Sequence, residues 1–118
     1  MKGEKMTFLP RNYLKQMSNK EKYKIVQGIC NVEKANKQSY LLAKQSKSGY
    51  IKEAVLEPDN KLERVLNLLE ETNKLIIEND FINKYTDKDW YEQYFCKSSY
   101  YKHKNNAVEE FLYYYLNS

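Results

Sequence analysis

Side chains that can bond to phosphates and base edges are concentrated near the C-terminus of this 118-residue chain, in the stretch FCKSSYYKHKNNAVEEF from Phe95 to Phe111. Ser, Tyr and Asn both donate and accept hydrogen bonds and Lys supplies positive charge, so such residues can contact both the backbone and the base edges of DNA. The candidate DNA-binding residues are Lys97, Ser98, Ser99, Tyr101, Lys102, Lys104 and Asn105.

These residues precede an apolar stripe with helical spacing. Tyr100, Ala107 and Phe111 follow one another at i+7 and i+4, so they share one face of a helix that continues to about Leu116. Val108 and Tyr115 belong to the same inward face. Tyr101 is rotated by about 100° from Tyr100 and therefore points outward. Either Ser98 or Cys96 can cap this helix, and the inward and outward assignments are nearly the same in both cases.

A shorter helical pattern lies directly upstream. Thr86 to Asp89 is an S/T-x-x-acid start, which predicts a short helix over residues 88–95 with Trp90 and Tyr94 as an i,i+4 pair. A short helix, a tight break and a longer helix with small polar residues in its first turn are typical of a helix-turn-helix. Any three-helix bundle with a short hinge gives the same pattern.

Two longer helices are predicted earlier in the chain. Leu62, Val65, Leu66 and Leu69 have the spacing i, i+3, i+4, i+7, which predicts a helix from about Asn60 to about Ile77. The box Ser18 to Glu21 starts the other helix, which runs into the forties and whose Gly28 indicates close packing or a kink. The inward stripe of that helix is Tyr23, Val26, Ile29 and Cys30. A further short helix is expected near Pro10 to Met17, and residues 46–60 are expected to be largely a linker.

Composition favours a single all-α domain over residues 1–118, because three Gly and two Pro leave little turn chemistry for a sheet. The charge is uneven. Residues 1–57 contain 12 Lys and Arg against 5 Asp and Glu, whereas residues 58–118 contain 8 against 11. We therefore expect a basic N-terminal helical part (1–57) and a helix-turn-helix part (58–118) in one small helical bundle.

No catalytic constellation is visible, so an enzyme is not expected. His103 is the single histidine, and one imidazole without a partner offers no nucleophile activation. Glu70-Glu71 and Glu109-Glu110 are adjacent pairs, which diverge by about 100° on a helix and make poor acid/base partners.

Cysteine spacing and hydropathy argue against further classes of protein. Cys30 and Cys96 are far apart and have no metal-type spacing, so neither a metal site, a cofactor nor a disulfide framework is expected. The start MKGEKMTFLP lacks the apolar segment of a signal peptide, and no apolar run reaches the roughly 20 residues of a membrane span. A soluble protein of the cytoplasm is expected.

The stretch TDKDWYEQYFCKSSYYKHKNNAVEEFLYYYL resembles the C-terminal signature of the ArpU/RinA-type late-gene transcriptional regulators of phages. The matching positions are Ser98 to Lys102 and Ala107, and Leu62 to Val65 resembles the upstream helix of that group, so the likeness covers about half of the chain. Cys96 and His103 depart from the pattern. The resemblance implies a DNA-binding half similar to region 4 of a sigma factor, acting on promoters of a phage or mobile genetic element.

Two functions follow as expectations. The first is a transcriptional regulator that binds double-stranded DNA through its C-terminal helix-turn-helix. The alternative is a small protein-binding regulator that docks on a transcription factor or RNA polymerase without binding DNA, which suits the acidic balance of residues 58–118. The long N-terminal helix has apolar residues beyond its narrow stripe, such as Tyr40 and Leu41, so a surface shared with another chain is expected, a homodimer first and a partner protein second. The alternative is a monomer in which the two long helices pack on each other.

Overall fold

The computed structural model describes residues 16–45, 59–83 and 86–118. These residues form four α-helices, which are α1 (Asn19–Lys44), α2 (Lys61–Leu68), α3 (Glu71–Ile77) and α4 (Lys97–Leu116). A π-helical turn (Glu78–Ile82) continues α3, and a 3-10 turn (Trp90–Gln93) precedes α4. No strand occurs in these three ranges, so the all-α prediction is confirmed for them. Nearly all of the predicted helix near Pro10 to Met17, and most of the predicted linker, lie outside the described residues.

The start of α1 has the capping box that the sequence predicts. Ser18 Oγ accepts a hydrogen bond from the Glu21 N–H at 3.1 Å, and the Glu21 carboxylate accepts one from the Ser18 N–H at 2.9 Å. Val26 and Cys30 are fully buried, which confirms the inward stripe. Residues 34–39 are all exposed, so the C-terminal half of α1 extends beyond the core.

Gly28 lies on the exposed side of α1, so the prediction of close packing within the chain was wrong. A Cβ atom added to Gly28 would meet no atom within 4 Å. The helix also continues through this position without interruption from Asn19 to Lys44. The glycine is therefore required neither by the core nor by a break in α1.

The predicted helix from Asn60 to Ile77 is divided in two. Leu69 and Glu70 have extended backbone, with ψ angles of 154° and 151°. The carboxylate of Glu110 on α4 accepts hydrogen bonds from the Glu70 N–H at 3.3 Å and from Asn73 Nδ2 at 2.8 Å. A residue 40 positions away thus supplies partners at the start of α3, and this tertiary contact stabilises the break that the apolar spacing did not indicate.

The predicted short helix over residues 88–95 is reduced to a single 3-10 turn. Its N-cap Asp89 makes no side-chain capping bond, and Thr86 Oγ1 instead donates to Asn79 Oδ1 at 3.4 Å. Trp90 and Tyr91 are both buried and contact other elements. Those tertiary contacts, rather than a local capping box, determine the backbone here.

The last helix forms the centre of the bundle, because α1, α2 and α3 all pack against it. Tyr100, Ala107, Val108 and Phe111 are buried, which confirms the predicted inward face, and Leu112 extends that face. The predicted end of the helix near Leu116 is also confirmed. The position of α4 at the centre means that its inward face is held by three other helices at once.

Candidate nucleic-acid interface

The first two turns of α4 present a polar face to solvent. Lys97, Ser98, Tyr101 and Lys102 are exposed, and Ser99 is half-buried. Tyr101 exposes 44% of its own surface. These are five of the seven residues that the sequence predicted to contact DNA, and the structure brings them together on one end of one helix.

Cys96 is the N-cap of α4, which decides between the two capping residues that the sequence allowed. Its backbone is extended, with φ −77° and ψ 163°. Lys97, Ser98 and Ser99 therefore occupy the first turn, where backbone N–H groups have no acceptor within the helix. Such a turn carries partial positive charge and favours anions.

The thiol of Cys96 is exposed, and its position at the N-cap of α4 perturbs its pKa. Hydrogen bonds from the Ser99 backbone and the Ser98 side chain stabilise the thiolate and lower the pKa of Cys96 below its ordinary value. Burial has the opposite effect on the other thiol and raises the pKa of Cys30 to about 12. The two cysteines are free and chemically distinct.

An aromatic cluster, consisting of Trp90, Tyr91, Phe95 and Tyr100, fixes the start of α4. The rings of Tyr91 and Tyr100 are stacked, with centroids 3.8 Å apart and an angle of 5° between planes. Trp90 meets Tyr100 edge-on at 6.1 Å. Because Tyr100 is held on one side of the helix, its neighbour Tyr101 is held in the outward direction.

Asp80 connects this cluster to the π-helical turn. Its carboxylate accepts hydrogen bonds from Trp90 Nε1 at 2.8 Å and from the Tyr100 hydroxyl. Burial, followed by the bond to Asp80, raises the pKa of Tyr100. Lys104 Nζ lies 3.4 Å from the same carboxylate, so one largely buried acid has three partners on two elements.

Lys104 and Asn105 are the two predicted contact residues that take part in packing. The Lys104 side chain is only 17% exposed, and its ammonium lies 4.6 Å from the centroid of the Tyr23 ring. Asn105 Oδ1 accepts a hydrogen bond from the Tyr23 hydroxyl. Lys104 follows Tyr100 by four residues, so its inward side was visible in the sequence, whereas the partner of Asn105 comes from α1 and was not.

A polar cleft of about 930 Å³ separates the start of α4 from α1. Lys97 and Tyr101 lie on one wall, and Gln27 and Asn31 lie on the other. The exposed residues Asp87, Asp89 and Glu92 precede α4, so the basic residues of its first turns stand beside acidic ones. The surface is therefore strongly polar without a uniform positive field.

The described residues contain no arrangement suited to metal chemistry. No group of three or more His, Cys, Asp and Glu side chains in residues 16–45, 59–83 and 86–118 could hold a metal ion. His103 packs its ring 4.9 Å from that of Phe95. Within the same ranges, no helix combines the length and apolarity needed to cross a membrane.

No model of a protein family, no curated protein and no solved structure matches this chain.

Proposed function

We propose that the protein is a DNA-binding transcriptional regulator that places the first two turns of α4 in the major groove. The observation that carries the proposal is the division of α4 along its length. Lys97, Ser98, Tyr101 and Lys102 face solvent at its start, while its later turns contribute fully buried residues of the core, namely Ala107, Val108, Phe111 and Leu112. A helix divided in this way can present side chains to a partner without weakening its own attachment.

The exposed residue types suit a duplex. The major groove, about 12 Å wide, admits an α-helix. Lysines bond to phosphates, and hydroxyl groups bond to phosphates or base edges. Lys97 and Lys102 therefore have the role of phosphate contacts, and Ser98 and Tyr101 can reach either the backbone or the bases.

The proposed motif is a helix-turn-helix of the kind found in region 4 of sigma factors, with residues 83–96 as the connection in place of a turn of about 3–4 residues. In this proposal α4 is the recognition helix, and α3 with its π-helical turn is the helix behind it. The 3-10 turn Trp90–Gln93 and the aromatic cluster form the connection. The resemblance of Ser98 to Lys102 to phage late-gene regulators supports promoters of a phage or mobile element as the targets.

The salt dependence of DNA binding tests this proposal. Fluorescence anisotropy with duplexes from upstream regions of the protein's own genetic neighbourhood should give an affinity that falls steeply with salt, because phosphate contacts release counterions. The double variant Lys97→Ala/Lys102→Ala removes two such contacts and should reduce the slope of log affinity against log salt by about 1.8.

The matched control is Lys24→Ala/Lys37→Ala, which removes the same charge from exposed positions of α1. This control should leave the slope near that of the wild type. If the control variant loses the slope and the α4 variant keeps it, DNA binds to α1 and the proposed site is wrong. Absence of any salt-dependent binding to duplex DNA would reject the function itself.

A second candidate is a regulator that docks on a transcription factor or RNA polymerase without binding DNA. The exposed acids Asp87, Asp89 and Glu92 beside the start of α4 favour it, because they reduce the attraction of this surface to phosphates. The charge-reversed variant Asp87→Lys/Asp89→Lys distinguishes the two functions. It should strengthen DNA binding if DNA is the partner, and weaken binding to a purified polymerase if the acids make that contact.

A further inference from the structure

We infer that α1 pairs with α1 of a second copy of this chain through an exposed heptad seam. The α1 seam consists of Ile25, Gly28, Val32, Ala35, Ser39 and Leu42, all of which are exposed. This inference does not rest on DNA binding, since it concerns a different helix and a different face.

The spacing of the seam is that of a coiled coil. Its residues follow one another at steps of three, four, three, four and three, so they occupy alternating a and d positions of successive heptads. The three large residues are well exposed, with Ile25 at 37%, Val32 at 59% and Leu42 at 63%. The seam covers 18 residues, which corresponds to about 26 Å of helix.

Apart from Ala35, which also lines the polar cleft, the seam faces away from the bundle. Val26 and Cys30, which are fully buried, lie about 100° and 140° from Ile25 around the helix axis. Gly28, Val32 and Leu42 lie on the opposite side of Ile25, within about 100° of it. A second helix can therefore approach the seam without displacing α4.

Charge favours a second copy over a foreign helix. No charged residue occupies an a or d position of the seam. In a parallel pair, the residues at g of one copy face those at e of the other, so the facing pairs are Lys24 with Ile29, Asn31 with Asn36 and Gln38 with Ala43. Like charges are not brought together, because Lys24 is the only charged residue among these e and g positions and it faces Ile29 of the other copy.

The residue types also indicate the arrangement of the pair. Ile25 and Val32 are β-branched residues at a and Leu42 is at d, the residue types that favour two parallel strands, while the third a position is Ser39. Gly28 and Ala35 are small and allow the two backbones to approach closely. The exposed glycine, for which the chain's own core gives no reason, then lies at the contact between the two copies.

Sedimentation velocity of the full chain at micromolar concentration tests the pairing. The wild type should sediment as a dimer, and Val32→Glu/Leu42→Glu should raise the dimer dissociation constant by about a hundredfold or more, because it buries opposed carboxylates. Both residues are exposed, so the helical content and thermal transition of the monomer should be retained. Leu41→Glu is the matched control, since Leu41 is 47% exposed but lies off the seam.

A cysteine introduced at an a position tests the parallel register. In a Cys96→Ser background, Ser39→Cys should form a disulfide between two copies under mild oxidation, because equivalent a residues face each other in a parallel pair. Lys37→Cys, on the other side of α1, should not. A monomeric wild type, a dimer unchanged by Val32→Glu/Leu42→Glu, or cross-linking at Lys37→Cys rather than Ser39→Cys would overturn the inference.

Discussion

Lys22 Nζ lies 2.7 Å from a carboxylate oxygen of Glu109, joining α1 to α4 across 87 positions of the chain. The side chain of Lys22 is only 4% exposed and that of Glu109 is 18% exposed. A charge left in such a place without its partner is costly, since neither water nor a nearby opposite charge compensates it. The ion pair therefore makes the docking of α1 sensitive to either residue.

Lys22→Ala should lower the free energy of unfolding by about 3–5 kcal/mol, because the variant leaves Glu109 as an uncompensated, largely buried charge. Urea denaturation followed by circular dichroism measures this. The double variant Lys22→Met/Glu109→Leu should recover most of the loss, since apolar replacement of a buried pair is often neutral.

The exposed pair Asp59–Arg64 provides the control. Its side chains are 68% and 56% exposed, so Arg64→Ala should lower stability far less than Lys22→Ala, because solvent screens an exposed ion pair. Equal losses of unfolding free energy for Lys22→Ala and Arg64→Ala would contradict the difference in burial between the two ion pairs.

Gly28→Ala should stabilise the fold. The added methyl group meets no atom within 4 Å, so the change keeps only the gain in helix propensity, about 1 kcal/mol in a helix interior. Thermal unfolding at low protein concentration, where the monomer dominates, measures the effect. Ala35→Gly on the same exposed face should produce a loss of similar size, and a destabilising Gly28→Ala would show that this position is packed.

The two thiols should react at different pH values. Because hydrogen bonds lower the pKa of Cys96 from its ordinary 9.0, its thiolate fraction is larger at a given pH, and alkylation should reach half its maximal rate below pH 9.0. Burial raises the pKa of Cys30 to about 12, so native Cys30 should stay unmodified.

Iodoacetamide labelling followed by mass spectrometry gives both profiles. Ser98→Ala removes one hydrogen bond to Cys96 and should move its profile to higher pH. Labelling of Cys30 should appear only in denaturant. Equal rates for the two thiols in the native protein would contradict the structure.

Local signals in the sequence predicted several elements correctly. The box Ser18 to Glu21 and the inward position of Tyr100 depend on neighbours within a few residues, and both are confirmed. The break at Leu69 could not be predicted, because Glu110, which bonds to the start of α3, lies 40 positions away from Glu70. For the same reason the burial of Lys22, whose partner is on α4, had no local signal.

In the candidate interface, too, some features follow from local spacing and others depend on tertiary contacts. The outward direction of Tyr101 follows from the inward direction of Tyr100, its neighbour on the helix, and needs no tertiary information. Asn105 accepts its hydrogen bond from the Tyr23 hydroxyl on α1. The Asp80 carboxylate contacts three donors that all lie later in the chain. Spacing identifies a face of a helix, but only the packed structure shows which members of that face are already bonded.

Asp80 is the residue whose replacement should most directly loosen the start of α4. Its carboxylate accepts from Trp90 Nε1 and the Tyr100 hydroxyl and lies beside the Lys104 ammonium, and the side chain is only 11% exposed. Asp80→Ala leaves all three donors without this acceptor, each loss costing about 1–3 kcal/mol, so the total should be several kcal/mol at most since the losses are coupled. Asp80→Asn keeps one carbonyl oxygen as an acceptor and should cost less.

Urea denaturation ranks the two variants, and the fluorescence of Trp90, the single tryptophan, reports the ring's surroundings in each native state. Glu92→Ala, at an exposed position of the same region, should leave both stability and fluorescence near the wild type. If Asp80→Ala were as stable as Glu92→Ala, the carboxylate would not hold the aromatic cluster, and another contact would have to fix Tyr100.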